Sequence, residues 1–370
     1  MPPIHYLPPL PATMKAVVTE GPGGPEQLNY KDVPVPKIGP KEVLVKVLAA
    51  GVNNTEINTR LGWYSAAVDS STADVASAAV KEKHADGGWN KATPFPLIQG
   101  TDCCGEVVRT GQDIDRSLLG ERVLIRPCEH PEGFGSPENI WMASDFNGAF
   151  AGFVKVRGSE VFPVHSSLSD AELASLPCAY GTSENMISRA GVKKGDRVLI
   201  TGASGGIGTA SLQLCRRRGA EVVAIAGRDK MARVQKLGAA TVIPRGESIR
   251  KTLGEKSVDV VIDNVGGKDF PELLKTLKAG GRYVTSGAIG GPKVSLDMRD
   301  LYLPDITMIG CTGWDEHVFP DLISYVERGE IRPVVEAIYP LHEIARAQED
   351  FGKKTHVGKL VLIPPGAVQC

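Results

Sequence analysis

Eight consecutive residues carry the clearest chemistry in the chain: Thr201-Gly202-Ala203-Ser204-Gly205-Gly206-Ile207-Gly208. Glycines at this spacing allow a tight turn, a close backbone approach to a pyrophosphate, and close packing of a helix on a strand. A helix opening there offers unpaired N–H groups and partial positive charge to phosphates. The context matters more than the glycines. The apolar run Arg197–Thr201 precedes the motif. After it, Ile207, Ala210, Ser211, Leu214 and Cys215 fall at the i, i+3, i+4 spacing of a helix packed on a sheet. Strand, glycine turn and helix together predict a dinucleotide site at Gly202, Ser204, Gly205, Gly206, Ile207 and Gly208.

The next strand-like run, Glu221–Ala226, ends at Ala226-Gly227 with no carboxylate to bond ribose hydroxyls. Arg228 and Lys230 follow at once and could hold a ribose phosphate. The predicted cofactor is therefore NADP(H). Asp229, between them, reads as a helix N-cap. The motif resembles that of short-chain dehydrogenases too, but no Tyr-x-x-x-Lys pair follows it, and some 200 residues precede it.

These residues must be positioned by two different architectures. The 370 residues exceed one usual domain. Before the motif, short valine-rich runs (Met14–Glu20, Val43–Val47, Gly105–Arg109, Arg122–Ile125) broken by Gly and Pro predict a β-rich domain. From Arg197, strand-like and helical runs alternate, the last strand being Ile306–Gly310, which predicts parallel βαβ units. The predicted class is α/β, with a doubly wound parallel sheet at 166–330 and a β-rich domain formed by 14–165 and 331–370. The tail reads strand, helix, strand, ending with Lys359–Ile363, and returns to the first domain. Ser65–Thr93 is rich in Ala, Ser and charge and reads as an inserted helix and loop, either lining the substrate site or lying on the surface. Residues 1–13 are proline-rich and read as a flexible arm.

The bulk numbers exclude several functions. A formal net charge of -1 gives no chain-wide reason to bind nucleic acid or acidic lipid. No apolar run reaches the roughly 18 residues of a membrane helix, and no signal peptide is recognisable. Seven irregularly spaced cysteines without a CxxC pair read as reduced thiols. A cytoplasmic protein acting on a small molecule is expected.

At this point the chain resembles the medium-chain dehydrogenase/reductase superfamily, in its zinc-free quinone oxidoreductase-like branch. The resemblance runs from Met14 to Pro364 and rests on an ordered set. Its members are Met14-Lys15-Ala16-Val17-Val18, Gly51-Val52-Asn53, Phe95 to Gly100, Leu176-Pro177-Cys178, the glycine motif, Val258 to Asp263, Gly280-Gly281-Arg282 and His356 to Leu362. It implies a GroES-like β-rich catalytic domain holding both chain ends, a Rossmann domain, and an active site between them.

The resemblance also bears on metal. Zinc-dependent members have Cys where this chain has Asn53, and Gly-His-Glu where it has Gly100-Thr101-Asp102; only Cys178 remains. A catalytic zinc needs three protein ligands, so none is expected. Polarising a carbonyl then falls to hydrogen-bond donors. The segment Gly51–Tyr64 matches quinone reductases without a gap, which implies Asn53 near the nicotinamide ribose and Tyr64 as donor to an enolate oxygen. The same match implies cofactor contacts from Thr182, Gly287, Ala288 and Lys354. Asn58 stands where quinone reductases commonly have tyrosine, which weighs against a quinone as native substrate. The implied function is NADPH-dependent, zinc-independent hydride transfer to a conjugated C=C bond or a quinone. A zinc-free carbonyl or alcohol oxidoreductase, or a non-enzymatic nucleotide-binding protein, are the alternatives. Relatives often pair as homodimers edge to edge through the Rossmann sheet, here through Ile306–Gly310.

Overall fold

A computed structural model of the chain describes residues 9–77 and 88–367. From Arg197 onward, six strands form one sheet in the spatial order Thr241–Pro244, Glu221–Ala226, Arg197–Ile200, Val258–Asp263, Leu277–Thr285, Thr307–Gly310. Every neighbouring pair is parallel. Parallel neighbours need crossovers, and helices such as Gly206–Arg217, Met231–Lys236 and Phe270–Thr276 supply them. Chain order reverses between Arg197–Ile200 and Val258–Asp263. There a doubly wound sheet opens a crevice at the carboxyl ends of its strands. Val198, Leu199, Ile200, Val222, Val223, Val260, Val261 and Ile262 are all buried, as continuous apolar strands covered on both faces should be.

The helix Gly206–Arg217 buries Ala210, Ser211, Leu214 and Cys215 and half-buries Ile207. One local expectation needs correction. Asp229 does not cap a helix: it sits inside the 3-10 turn Arg228–Lys230, whose cap is Gly227, and Lys230 precedes the following helix. The four residues Gly227–Lys230 between strand and helix leave room for a tight turn before the helix starts.

The other half is built on antiparallel pairing. A seven-stranded sheet runs Val161–Pro163, Arg122–Ile125, Cys104–Thr110, Glu42–Gly51, Lys359–Ile363, Val335–Pro340, with Phe153–Arg157 also on Glu42–Gly51. A three-stranded sheet joins Leu28–Pro34, Thr13–Thr19 and Leu97–Ile98. The tail does return: Val361 pairs with Gly51 and Leu362 with Ala50. Register is exact to one residue where a face is buried, so this pairing brings Lys359 beside Val52 and Asn53.

Of the Ser65–Thr93 insertion, the helix Thr72–Ser77 is described, and 78–87 lie outside the described residues, as do 1–8 of the predicted arm. The described part docks on the opposite half: Thr72 N–H donates to the Ile289 carbonyl, and Asp69 pairs with Lys293. Among the described residues no helix is long and apolar enough to cross a membrane. The six described cysteines are free and buried.

Candidate active site and dinucleotide groove

Gly202 lies at φ 57°, a left-handed conformation that favours glycine. A Cβ on Gly208 would sit 2.3 Å from the Gly202 carbonyl oxygen, so the helix can start this close only on a bare Cα. The loop opens into a groove lined by Gly202, Ser204, Gly205 and Gly206, by the strand tip Ile225-Ala226-Gly227, and by Lys230, Arg245, Lys354 and His356. Ile207 and Gly208 are not in this lining: Ile207 packs on the buried core and Gly208 lies against Gly202 and Ala203. Glycine loop, helix N-terminus and strand tip fit the pyrophosphate and ribose of a dinucleotide.

Positive charge collects in this groove. Lys354 Nζ donates to Asn54 Oδ1 at 2.8 Å, and Lys230 Nζ to the Lys354 carbonyl at 2.5 Å. Burial, and then repulsion from Lys230, lowers the Lys354 pKa to about 8. Burial followed by both lysines holds His356 down to about 4. A bound anion would offset both the burial and the mutual repulsion of these groups. Arg228 is not part of the lining. Its side chain is 73% exposed and pairs with Glu247. Arg245, unmarked in the sequence reading, stands in the groove instead, just past the third strand of the chain order.

Beside the glycine loop lies a second, fully buried cluster. Asp102 Oδ2 accepts from Lys359 Nζ at 2.8 Å and from Asn53 Nδ2 at 2.9 Å, and Asp102 Oδ1 accepts from the Cys178 N–H at 2.6 Å. Lys359 also donates to the Val52 carbonyl at 3.0 Å and to Asn53 Oδ1. Glu56 accepts from the backbone N–H groups of Asn53 and Thr101 at 2.8 and 2.9 Å, and burial raises its pKa. Asn53 is thus occupied at both ends of its carboxamide. The sequence offered one sign of this cluster: Lys359 heads the otherwise apolar run Lys-Leu-Val-Leu-Ile, and a buried lysine must be paired.

Tyr64 approaches the cluster from the end of the helix Asn54–Leu61. Its hydroxyl hydrogen-bonds with the side chains of Asn58 and Thr55, and burial pushes its pKa well up, so it stays a protonated donor. Its ring meets Trp63 and Trp89 edge-on, with centroids 5.4 and 4.8 Å away. Trp89, from the insertion, continues through Trp141 to Trp314 of the opposite half. Thr182 bonds with the Cys178 thiol on the helix Pro177–Arg189. Gly287 and Ala288 are half-buried in the loop after Leu277–Thr285, with Gly287 held through its carbonyl by Thr285 Oγ1 at 3.0 Å.

The donor set does not fit a catalytic zinc. Asn53, Asp102 and Cys178 do converge, but they offer one thiol, pushed up by burial, and one carboxylate already paired with Lys359, short of the three protein ligands a catalytic zinc takes. The Lys359 ammonium already sits against Asp102, and a second cation there would meet like charge.

A GroES-like sheet closed by the tail, a Rossmann sheet and a polar cluster between them define a two-part nucleotide-dependent oxidoreductase architecture. Comparison with known proteins agrees. A family model described as "Alcohol dehydrogenase GroES-like domain" matches residues 39–166, and one described as "Zinc-binding dehydrogenase" matches 206–328. A solved structure from Sinorhizobium meliloti 1021, provisionally described as an alcohol dehydrogenase, is 40% identical, covers 96% of this chain and 98% of its own, and superposes with a TM-score of 0.86. The acryloyl-coenzyme A reductase of Metallosphaera sedula is 28% identical over 94% of this chain and 99% of its own. The quinone oxidoreductase of Rattus norvegicus is 28% identical over 92% and 95%. The chain belongs to the medium-chain dehydrogenase/reductase superfamily.

Proposed function

We propose that the protein is an NADPH-dependent reductase that transfers hydride to a C=C bond conjugated to a carbonyl, without zinc. The observation that carries this reading is Tyr64: a buried, protonated hydroxyl, oriented by Asn58 and Thr55, beside a cluster that does not fit a metal. The acryloyl-coenzyme A reductase and quinone oxidoreductase among its relatives support a conjugated acceptor.

When bound, the dinucleotide supplies the hydride, which goes to the β-carbon of the acceptor. Charge then develops on the acceptor's carbonyl oxygen. The Tyr64 O–H donates a hydrogen bond to that oxygen, the stabilisation a preorganised donor gives a forming oxyanion. A proton from water completes the α-carbon. The glycine loop, with Lys230, Arg245 and Lys354, holds the phosphates; Thr182, Gly287 and Ala288 face the nicotinamide end. Asn53 acts by holding Asp102 and Lys359 rather than by touching substrate. The dinucleotide-binding unit is 166–330, and 14–165 with 331–370 form the catalytic unit. Dimerisation through the edge strand Thr307–Gly310 belongs to the same reading: Met308 within it, and Met298, Tyr302 and Leu303 just before it in the chain, are exposed.

The test is incubation with a conjugated enone and NADPH, with NADH in parallel and the product identified by mass and NMR. A saturated ketone formed with NADPH alone is expected. An allylic alcohol would instead make the protein a carbonyl reductase, and tight NADPH binding without turnover across a substrate panel would make it a nucleotide-binding protein.

A further inference from the structure

Lys359 has all the marks of a residue that works through others. Its side chain is 4% exposed and its three protons are all used, on Asp102, the Val52 carbonyl and Asn53. None is left for a substrate oxygen. A buried ammonium is costly unless paired and hydrogen-bonded, so this set of bonds is specific in geometry.

The same short segment grips the other half. Gly358, at φ 89°, donates its N–H to the Ser204 carbonyl at 2.9 Å and bridges Gly205. The Lys359 shaft lies across Gly206, where a Cβ would come within 2.8 Å of Lys359 Cδ. On the far side of the ammonium, Asn53 precedes the helix Asn54–Leu61 and Asp102 receives the Cys178 N–H at the start of the helix Pro177–Arg189. The first helix carries Thr55 and Asn58, which orient Tyr64; the second carries Thr182.

We propose that Lys359 is a positioning residue that fixes the starts of these two helices against the phosphate-binding loop, so that seating the phosphates and orienting the nicotinamide end are set together. This rests on the reading of Thr182 and Tyr64 given above. The loop Ser204–Gly206 grips the phosphates through its own backbone, and the Lys359 ammonium bonds Asp102, Val52 and Asn53 and none of the groove cations. Loss of the ammonium should therefore spare a ligand that ends at the phosphates and harm one that extends to the nicotinamide.

The experiment measures dissociation constants of 2′,5′-ADP and of NADPH for the wild-type full chain, Lys359→Met and Asp102→Asn. It also follows deuterium transfer from NADPH labelled at either face of C4. In Lys359→Met, 2′,5′-ADP should bind within about twofold of wild type while NADPH weakens about tenfold, kcat falls more than KM rises, and transfer from a single face becomes mixed. Asp102→Asn, which keeps the side-chain shape and removes the counter-charge, should show the same split to a smaller degree, and it carries the test if Lys359→Met does not fold. Equal weakening of both ligands, or no change in either, overturns the proposal. A wild-type protein that binds ADP but not 2′,5′-ADP overturns the NADP reading instead; the positioning test then runs unchanged with NADH against ADP. Absence of enone reduction likewise leaves the binding arm intact.

Discussion

The backbone N–H of Thr72 donates to the carbonyl oxygen of Ile289 at 3.0 Å, from the insertion on one half to the loop beyond the fifth Rossmann strand on the other. It ties a wall of the interdomain cleft to the loop carrying Gly287 and Ala288. The cavity beneath, about 1360 Å³, has Thr72, Ala73 and Ala76 on one side and Arg245, Val265 and Ile289 on the other.

Thr72→Pro removes this donor at the first residue of a helix, where proline is tolerated. A backbone hydrogen bond contributes about 1 kcal/mol, or about fivefold in an equilibrium. We expect kcat/KM for an enone to fall roughly that much, with NADPH affinity in the absence of substrate unchanged. Steady-state kinetics beside a fluorescence titration checks it; an unchanged kcat/KM removes the insertion from the site.

Cofactor choice is predicted to rest on Lys230 and Arg245, which line the groove, more than on Arg228, which faces solvent beside Glu247. A hydrogen bond to a charged group contributes about 1.5–3 kcal/mol, so Lys230→Ala or Arg245→Ala should weaken NADPH by about 10- to 150-fold and leave NADH alone. An exposed ion pair contributes about 0–1 kcal/mol, so Arg228→Ala should change either cofactor little. Parallel NADPH and NADH titrations decide the order.

Binding should also depend on pH. Burial and Lys230 lower Lys354 to about 8, so it is charged below that pH and neutral above it. Phosphate binds the charged form and raises the pKa in the complex. Affinity for NADPH should therefore be level below about pH 8 and fall as pH rises from there towards the pKa of the complex. Lys354→Met should bind more weakly and lose this slope. Titrations from pH 6 to 10 measure it, and a slope that persists in the variant assigns it to another group.

Tyr64→Phe keeps the ring packing on Trp63 and Trp89 and removes the hydroxyl. Loss of one oxyanion donor costs about 2.7–4 kcal/mol, or about 10²–10³ in kcat. We expect a fall of that order with NADPH affinity unchanged. Because burial holds the hydroxyl protonated, the wild-type rate should show no loss attributable to Tyr64 ionisation up to about pH 10, the ordinary tyrosine value. A Tyr64→Phe enzyme of near wild-type kcat would return the donor role to solvent.

Much of the fold was legible in the residues because its signals are local. The run Arg197–Thr201, the glycines after it and the i, i+3, i+4 helix face constrain one another within about twenty residues, and the alternation beyond them implied parallel strands. Groove residues Gly202, Ser204, Gly205, Gly206 and Lys230 were legible for the same reason, whereas Lys354 was reached only through the family resemblance. Arg216-Arg217-Arg218 shows the limit. The run reads as a solvated helix end, yet Arg218 turns inward to pair with Glu184, whose side chain is 1% exposed, because a neighbouring helix brings a carboxylate there.

What the sequence determined by itself is the kind of machine: two architectures, a dinucleotide site, and ligand positions in which Asn53 and Thr101 replace Cys and His. What only the tertiary structure decided is which side chains meet. Lys359 and Asp102 are 257 positions apart and become partners at 2.8 Å because the last strand pairs with Glu42–Gly51. Arg228 leaves the groove and Arg245 enters it because the tips of adjacent strands, not sequence neighbours, define its wall. Local spacing fixes which elements form; strand register and crossovers fix which distant charges share a buried space, and no window along the chain contains both.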